Sequence, residues 1–279
     1  LNCAHRPLDL RRTRIKCILN ITPDSLSDGG RLYRRGVDLG QQTEAAIAMI
    51  EAGADLLDIG GESTRPGADP VSDDEECRRV MPALERLLDL DVIVSIDTRK
   101  PRVARMAIQA GVHLVNDVTG MTNPQMLEAV ADSKVAICIM HMQGEPGTMQ
   151  VDPRYDDVVS EVRGFLARQS ERCLGAGIGP DRLVVDPGFG FGKNIDHNLA
   201  LLRGLQEVRV HGLPLLVGLS RKRMIGSITD RAVADRGIGS VAAAMLAAQR
   251  GADILRVHDV GATMDALKML AAVESPDRM

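Results

Sequence analysis

The sequence predicts an α/β protein, a TIM (β/α)8 barrel, on three observations. Eight short aliphatic runs of strand length recur along the chain, segments with helical spacing lie between them, and the length of 279 residues fits a barrel of ~250. Continuous apolar runs suit parallel strands buried on both faces. A doubly wound open sheet is the rival, but it usually has fewer strands and a switch point. No break in composition divides the chain, so it reads as one domain over residues 1–279, with the barrel at about 15–275.

The elements follow in order. The first run is CILNIT (17–22), and the segment NITPDSLSDGGR leads from it into QQTEAAIAMIEAG, which carries Ala, Ile and Met at helical intervals and ends at Gly53. The second run, DLLDIGG (55–61), continues into GESTRPGADPVS and then SDDEECRRVMPALERLLD, where Ser72 is an N-cap type with Glu75 three residues later. VIVSIDT (92–98), HLVNDVT (113–119) and AICIMH (136–141) are the next three runs. The polar stretch MQGEPGTMQVDPRYD (142–156) reads as a long loop. LVVDPG (183–188), LLVGLS (215–220) and ILRVHD (254–259) complete the eight, with SVAAAMLAAQRG ending at Gly251 before the last. The first two loops exceed the ~2–6 residues of ordinary βα turns, and residues such as Asp28, Thr64 and Arg65 mark them as candidate lids.

Composition narrows the function. The net charge of −4 offers no electrostatic case for nucleic acid or a membrane surface. No apolar run reaches the ~18 residues of a membrane helix, and the basic opening LNCAHRPLDLRRTRIK lacks the apolar centre of a signal peptide. Five cysteines without a CxxC pair read as reduced thiols of a cytoplasmic protein. GFGFGK satisfies neither GxxxxGK[ST] nor GxGxxG, and HExxH and GxSxG are missing.

Most of the runs share one feature. Each is aliphatic at its start and turns polar at its C-terminal end, at Asn20, Asp58, Asp97, Asn116, His141, Asp186, Ser220 to Lys222, and Arg256 with His258. In a parallel barrel these ends share one face, where such enzymes keep their active sites. For Asp58 and His141 a capping role and a ligand role are equally open. Capping does not require Asn20, Asp97, Asn116, Asp186 and Arg256 inside apolar strands, where an unpaired polar group costs ~1–3 kcal/mol. Acceptors on Asp97, Asn116 and Asp186 suit a flat heterocycle with amino and ring N–H groups. Lys222 can donate to a ring carbonyl or nitrogen, Arg256 can stack on a ring or bond an anion, and Arg65 with His258 suits phosphate. The set points to a phosphorylated heterocycle.

One stretch stands apart. The chain has no Trp, two Tyr and three Phe, yet two of those Phe, Phe189 and Phe191, sit in DPGFGFGKN among Gly188, Gly190 and Gly192. Glycine disfavours both helix and strand here, so the rings belong to a loop.

NITPDSLSDGG, DIGGESTRPGA, SIDTRKP, NDVTG, HMQGEPGTMQ, DPGFGFGKN, GLSRKRMIG and RVHDV together resemble the dihydropteroate synthase family, from about residue 15 to residue 270. The resemblance implies a homodimeric TIM barrel that joins 6-hydroxymethyl-7,8-dihydropterin pyrophosphate to p-aminobenzoate and releases pyrophosphate, with Mg²⁺. It implies a pterin site of Asp97, Asn116, Asp186, Lys222 and Arg256, the last stacking on the ring. Pyrophosphate would meet Arg65, Arg256 and His258, and Asn20 would be the Mg²⁺-linked residue. Thr64, Pro66, Phe189 and Phe191 would line the p-aminobenzoate site. Asp97, Asp186 and Lys222, with Asp28 of the first loop, would serve the chemistry. Leu26, Arg223, Gly147 and Asp230 depart from the family's usual Phe, Ser, Arg and Gly, and the first two imply a p-aminobenzoate site of altered shape or affinity. Two rival readings are a non-catalytic pterin-binding paralogue and a methyltransferase barrel acting on methyltetrahydrofolate with a corrinoid protein. The phosphate-type contacts argue against the first. STRPGA and SRK have no use in the second.

Overall fold

The computed structural model describes residues 1–21, 39–63 and 69–274. Asp28, Leu26, Thr64, Arg65 and Pro66, and with them most of the first expected lid and the centre of the second, lie outside the described residues.

A short antiparallel hairpin, β1 (Asn2–Cys3) and β2 (Arg6–Pro7), comes first. The barrel then alternates as expected: β3 (Arg14–Asn20), α1 (Leu39–Glu51), β4 (Leu56–Gly60), α2 (Asp73–Leu87), β5 (Ile93–Asp97), α3 (Pro101–Ala110), β6 (Leu114–Asp117), α4 (Pro124–Ala131) and β7 (Ala136–Met140). It continues with α5 (Val158–Gly175), β8 (Leu183–Asp186), α6 (Ile195–Arg203), β9 (Leu216–Val217), α7 (Arg223–Thr229), α8 (Gly237–Gln249), β10 (Ile254–Val257) and α9 (Val260–Glu274). The eight strands β3 to β10 pair in parallel in the order β8-β7-β6-β5-β4-β3-β10-β9. A parallel bridge between Val185 and Leu215 joins β8 to the segment entering β9 and closes the ring.

Local signals in the sequence account for the helix ends. The Ser72 side chain accepts from the Glu75 backbone N–H at 3.2 Å and caps α2. Gly251, at φ 88°, follows α8 in the left-handed conformation that glycine adopts without strain. Asp230 ends α7 in the same region, at φ 52°.

The barrel has two apolar compartments. Outward residues of the strands, such as Ile15, Leu19, Leu57, Ile59, Val94 and Ile96, meet the helix faces in one continuous core. Inward residues at the strand beginnings, Leu56, Ile93, Leu114, Ala136, Val184, Leu216 and Ile254, form a separate plug. Cys3 and Leu8 of the hairpin segment cover that plug from below. The inner and outer sets alternate along each strand, as the period of two requires. Above the plug the inward positions become polar, so the strands turn from core into site within about two residues.

The first strand begins earlier than its aliphatic run suggests, at Arg14 rather than Cys17. That extension carries Lys16 into the barrel, where it is fully buried. A lysine inside a strand interrupts an apolar pattern, which is why the run reads as starting after it.

The hairpin makes its own test. Leu8→Ala should cost about 2–3 kcal/mol, since it opens a cavity against the plug. Urea unfolding would measure it, and a loss below about 0.5 kcal/mol would show that the hairpin does not seal the barrel.

Candidate active site

The C-terminal ends of the strands bring the expected residues together. Asp97 ends β5, and Asn116 lies opposite it on β6 in register. Asp186 ends β8, Arg256 sits in β10, and Lys222 stands immediately before α7 as its N-cap residue. Asn20 ends β3 in the same row as Gly60 and Asp97. A Cβ placed on Gly60 would lie 3.7 Å from both Asn20 Oδ1 and Asp97 Cβ. The glycine therefore leaves a shallow gap between an amide oxygen and a carboxylate.

Five side chains form a closed ring in the middle of the barrel. Lys16 Nζ lies 2.9 Å from Asp58 Oδ1. Asp58 Oδ2 accepts from Arg256 Nε at 2.6 Å, and Arg256 Nη2 donates to Asp97 Oδ2 at 2.7 Å. Asn116 Nδ2 donates to Asp97 Oδ1 at 3.1 Å, and Lys16 Nζ donates back to Asn116 Oδ1 at 3.4 Å. Burial alone would raise the Asp58 carboxyl, but Lys16 and then Arg256 outweigh it and hold Asp58 ionised, below the usual carboxylate range. Asp97 is raised, chiefly by burial and against the pull of Arg256. Of the two residues left open on sequence grounds, Asp58 is thus an ion-pair centre and caps nothing.

Lys222 and Asp186 are the second charge pair. Burial lowers the Lys222 ammonium to about 8, with Asp186 opposing that shift and Arg256 adding to it. Burial raises Asp186, against the opposing charge of Lys222. Lys222 Nζ donates to the Phe189 carbonyl and sits 4.7 Å from the centre of the Phe191 ring. His258 is fixed through its Nδ1, which lies 2.9 Å from Ser220 Oγ.

The glycine loop after β8 is held almost entirely by side chains. Asp186 Oδ1 accepts from the Gly188 N–H at 2.7 Å. Lys193 Nζ reaches the Gly188 carbonyl at 2.9 Å, the Phe191 carbonyl at 3.0 Å and His141 Nδ1 at 2.8 Å. Gln150 donates to the Gly190 carbonyl, Tyr155 Oη to the Gly192 carbonyl at 2.9 Å, and Asn198 Nδ2 to the Lys193 carbonyl at 3.3 Å. With Lys222 on Phe189, each carbonyl from 188 to 193 has a side-chain donor. His141, pushed down to about 2 by burial and by Lys193, stays neutral and accepts from the lysine nitrogen. It therefore supports the loop from beneath.

Two glycines make the close approach possible. A Cβ on Gly188 would stand 1.8 Å from the His141 carbonyl oxygen, and one on Gly192 2.3 Å from that of Gln143. Both residues have positive φ. Phe189 departs from its expected place: it is 1% exposed, within the core beneath the loop. The apolar ring is better covered there than at a wet mouth, and only its carbonyl faces Lys222. Phe191 is half-buried under the Lys222 ammonium.

The remaining positions are peripheral. Arg223 is exposed at the start of α7, and Gly147 is exposed with open space where a side chain would begin. Glu62, at the edge of the second loop, pairs with Arg99 at 3.2 Å and Lys100 at 3.3 Å. Sequence reading passed over Lys16, Lys193, Tyr155 and Asn198. Only Lys193 left a trace, as the lone cation ending a glycine run.

Gly188→Ala should forfeit the loop. The clash with the His141 carbonyl and the positive φ together predict a loss of more than about 2 kcal/mol. An unchanged denaturation midpoint would contradict the tight contact.

Comparison with known proteins agrees with the geometry. Residues 17–258 match the family described as Pterin binding enzyme. Dihydropteroate synthase of Escherichia coli (strain K12) is 47% identical over 269 residues, covering 96% of this chain and 94% of the relative. The crystal structure of the Yersinia pestis dihydropteroate synthase with a sulfonamide drug complex is similar at TM-score 0.94 and 47% identity, over 99% of each chain. The Burkholderia cenocepacia dihydropteroate synthase complexed with 7,8-dihydropteroate gives TM-score 0.90 and 46% identity, over 100% of this chain and 97% of the other. The chain belongs to the pterin binding enzymes and, among them, to the dihydropteroate synthase family.

Proposed function

We propose that the chain condenses 6-hydroxymethyl-7,8-dihydropterin pyrophosphate with p-aminobenzoate, releasing pyrophosphate, at the mouth formed by Asp97, Asn116, Asp186, Lys222 and Arg256. The observation that carries this reading is the convergence of three acceptor side chains and two cations at one end of the barrel, in a member of this family. The structure of the Burkholderia relative with 7,8-dihydropteroate, the product of that condensation, supports the substrate class.

The mechanism proposed is dissociative. Asp97, Asn116 and Asp186 accept from the amino and ring N–H groups of the pterin, and Lys222 donates to its carbonyl or ring nitrogen. As the bond between the exocyclic methylene carbon and the pyrophosphate oxygen breaks, the pterin gains positive charge and pyrophosphate keeps the electron pair. The fixed carboxylates stabilise that charge without reorganising, commonly the largest catalytic contribution. The arylamine nitrogen attacks the methylene carbon and then loses its proton. A neutral aniline needs no strong base. Phe191 offers a flat wall for p-aminobenzoate, with Thr64 and Pro66 of the second loop. Arg65, Arg256 and His258 meet the leaving group, and Asp28 of the first loop serves the chemistry.

Mg²⁺ fits this set as a substrate-borne ion. No group of three or more His, Cys, Asp or Glu among the described residues could hold a metal alone. Asn20 presents one amide oxygen across the Gly60 position from Asp97, which suits an ion held mainly by phosphate oxygens and water. When bound it would supply charge neutralisation for the leaving pyrophosphate.

The chain as one pterin-binding domain, a cytoplasmic location and a homodimer complete the proposal. All five cysteines are buried and free, and no helix among the described residues is long and apolar enough to cross a membrane. Ile228, Ile238, Met269 and Val273 are exposed on α7, α8 and α9, apolar surface suited to a second copy.

Pyrophosphate release from the dihydropterin pyrophosphate with Mg²⁺ tests the reaction. Release should depend on p-aminobenzoate and fall about 100-fold or more in Asp186→Asn. Pterin binding without release would favour the non-catalytic paralogue. The lowered Lys222 adds a pH signature: it is charged below about 8 and neutral above. Hence kcat/KM for the pterin substrate should fall about tenfold per pH unit above that value. A profile level to pH 9.5 would contradict the role of the ammonium.

A further inference from the structure

We propose that Asp58 and Lys16 are positioning residues for the pterin site: Asp58 tethers Arg256 by its Nε, and Lys16 fixes both Asp58 and the Asn116 amide. The inference rests on the pterin reading of the site and deepens it.

The two carboxylates that share Arg256 are not equivalent. Asp58 is fully buried, whereas the Asp97 side chain is 12% exposed. Arg256 meets them through different nitrogens, Nε on Asp58 and Nη2 on Asp97. A ligand entering from the mouth reaches Asp97 and not Asp58. When it takes up acceptor capacity on Asp97, the guanidinium keeps its inner anchor and turns about Nε while remaining at the mouth. Without Asp58, Arg256 has Asp97 as its single anionic partner in the ring, and the pterin must compete with it.

Lys16 sets the remaining geometry. Its ammonium lies 2.9 Å from Asp58 and donates to Asn116 Oδ1 at 3.4 Å. That orients the amide, because the reverse orientation would aim Nδ2 at an ammonium and Oδ1 at a carboxylate. Asn116 Nδ2 is thereby aimed at Asp97, which it meets at 3.1 Å. Arg256 also draws Asp97 by charge. Two residues out of a ligand's reach therefore decide how three ligand-facing groups are presented. Neither is needed to satisfy strand backbone, and an apolar pair would fill the same space.

The test is titration calorimetry with dihydropterin pyrophosphate, together with steady-state KM values for both substrates. Asp58→Asn should weaken pterin binding about tenfold or more and leave the KM of p-aminobenzoate within about twofold. In an Arg256→Gln background, Asp58→Asn should add less than about twofold, because its effect passes through the guanidinium. Should Asp58→Asn fail to fold, the Lys16→Met/Asp58→Asn pair removes both buried charges and should show the same selective loss. Wild-type-like pterin binding in the folded variants, equal damage to both substrates, or additivity with Arg256→Gln would each overturn the tether. Failure of the wild-type chain itself to bind the pterin would instead sink the functional reading on which the tether stands.

Discussion

The structure depends on charge buried in the centre of the barrel. Lys16, Asp58, Arg256 and Asp97 bring two cations and two anions together in a space closed below by aliphatic side chains. No one of them could be held there alone. Breaking a buried pair typically costs about 3–5 kcal/mol, because it strands a charge out of water. Arranged as a ring with Asn116, each charge meets its opposite, and the sum is neutral. Replacing a buried ion pair with apolar residues of similar volume is often neutral or stabilising. The ring therefore makes more sense as a device for orientation than as one for stability.

The barrel interior follows from that placement. Its lowest inward layer is apolar and sealed by the hairpin, its middle is the ion-paired ring, and its mouth carries the groups left to face a ligand. Along a strand the inward positions run from plug to site. Strand β5 shows it within five residues: Ile93 in the plug, Ser95 above it, and Asp97 at the mouth, while Val94 and Ile96 pack outward against the helices. One alternating pattern thus serves stability on one side and chemistry on the other.

The glycine loop is the mobile-looking element that the structure makes rigid. Its three glycines take left-handed conformations, which by composition alone reads as freedom. Yet its carbonyls are held by side chains from the long loop after β7, from α6, from Lys222 and from Lys193. Rigid donors and acceptors around a reacting centre need no rearrangement as charge develops. Lys222, from the start of α7, donates to the loop's Phe189 carbonyl and sits over the Phe191 ring, so ring and cation keep a fixed relation.

Much of this was legible in the sequence. Local pattern determined the eight-fold alternation, because strand and helix periods and caps such as Ser72 are written in neighbouring residues. The polar strand ends were legible too, since Asp97, Asn116, Asp186 and Arg256 break apolar runs where ordinary capping has no use for them. What tertiary structure decided is how those residues pair. Lys16 and Asp58 are 42 positions apart and Arg256 lies a further 198 along the chain from Asp58; only closure of the barrel makes them neighbours. The same holds for Phe189 and Phe191. Two positions apart on one loop, they look alike in sequence, but the loop's fold turns one ring into the core and leaves the other beneath Lys222. Residue type and local order can specify which groups a chain carries, while the partners that set their charge and direction come from strands far apart in sequence.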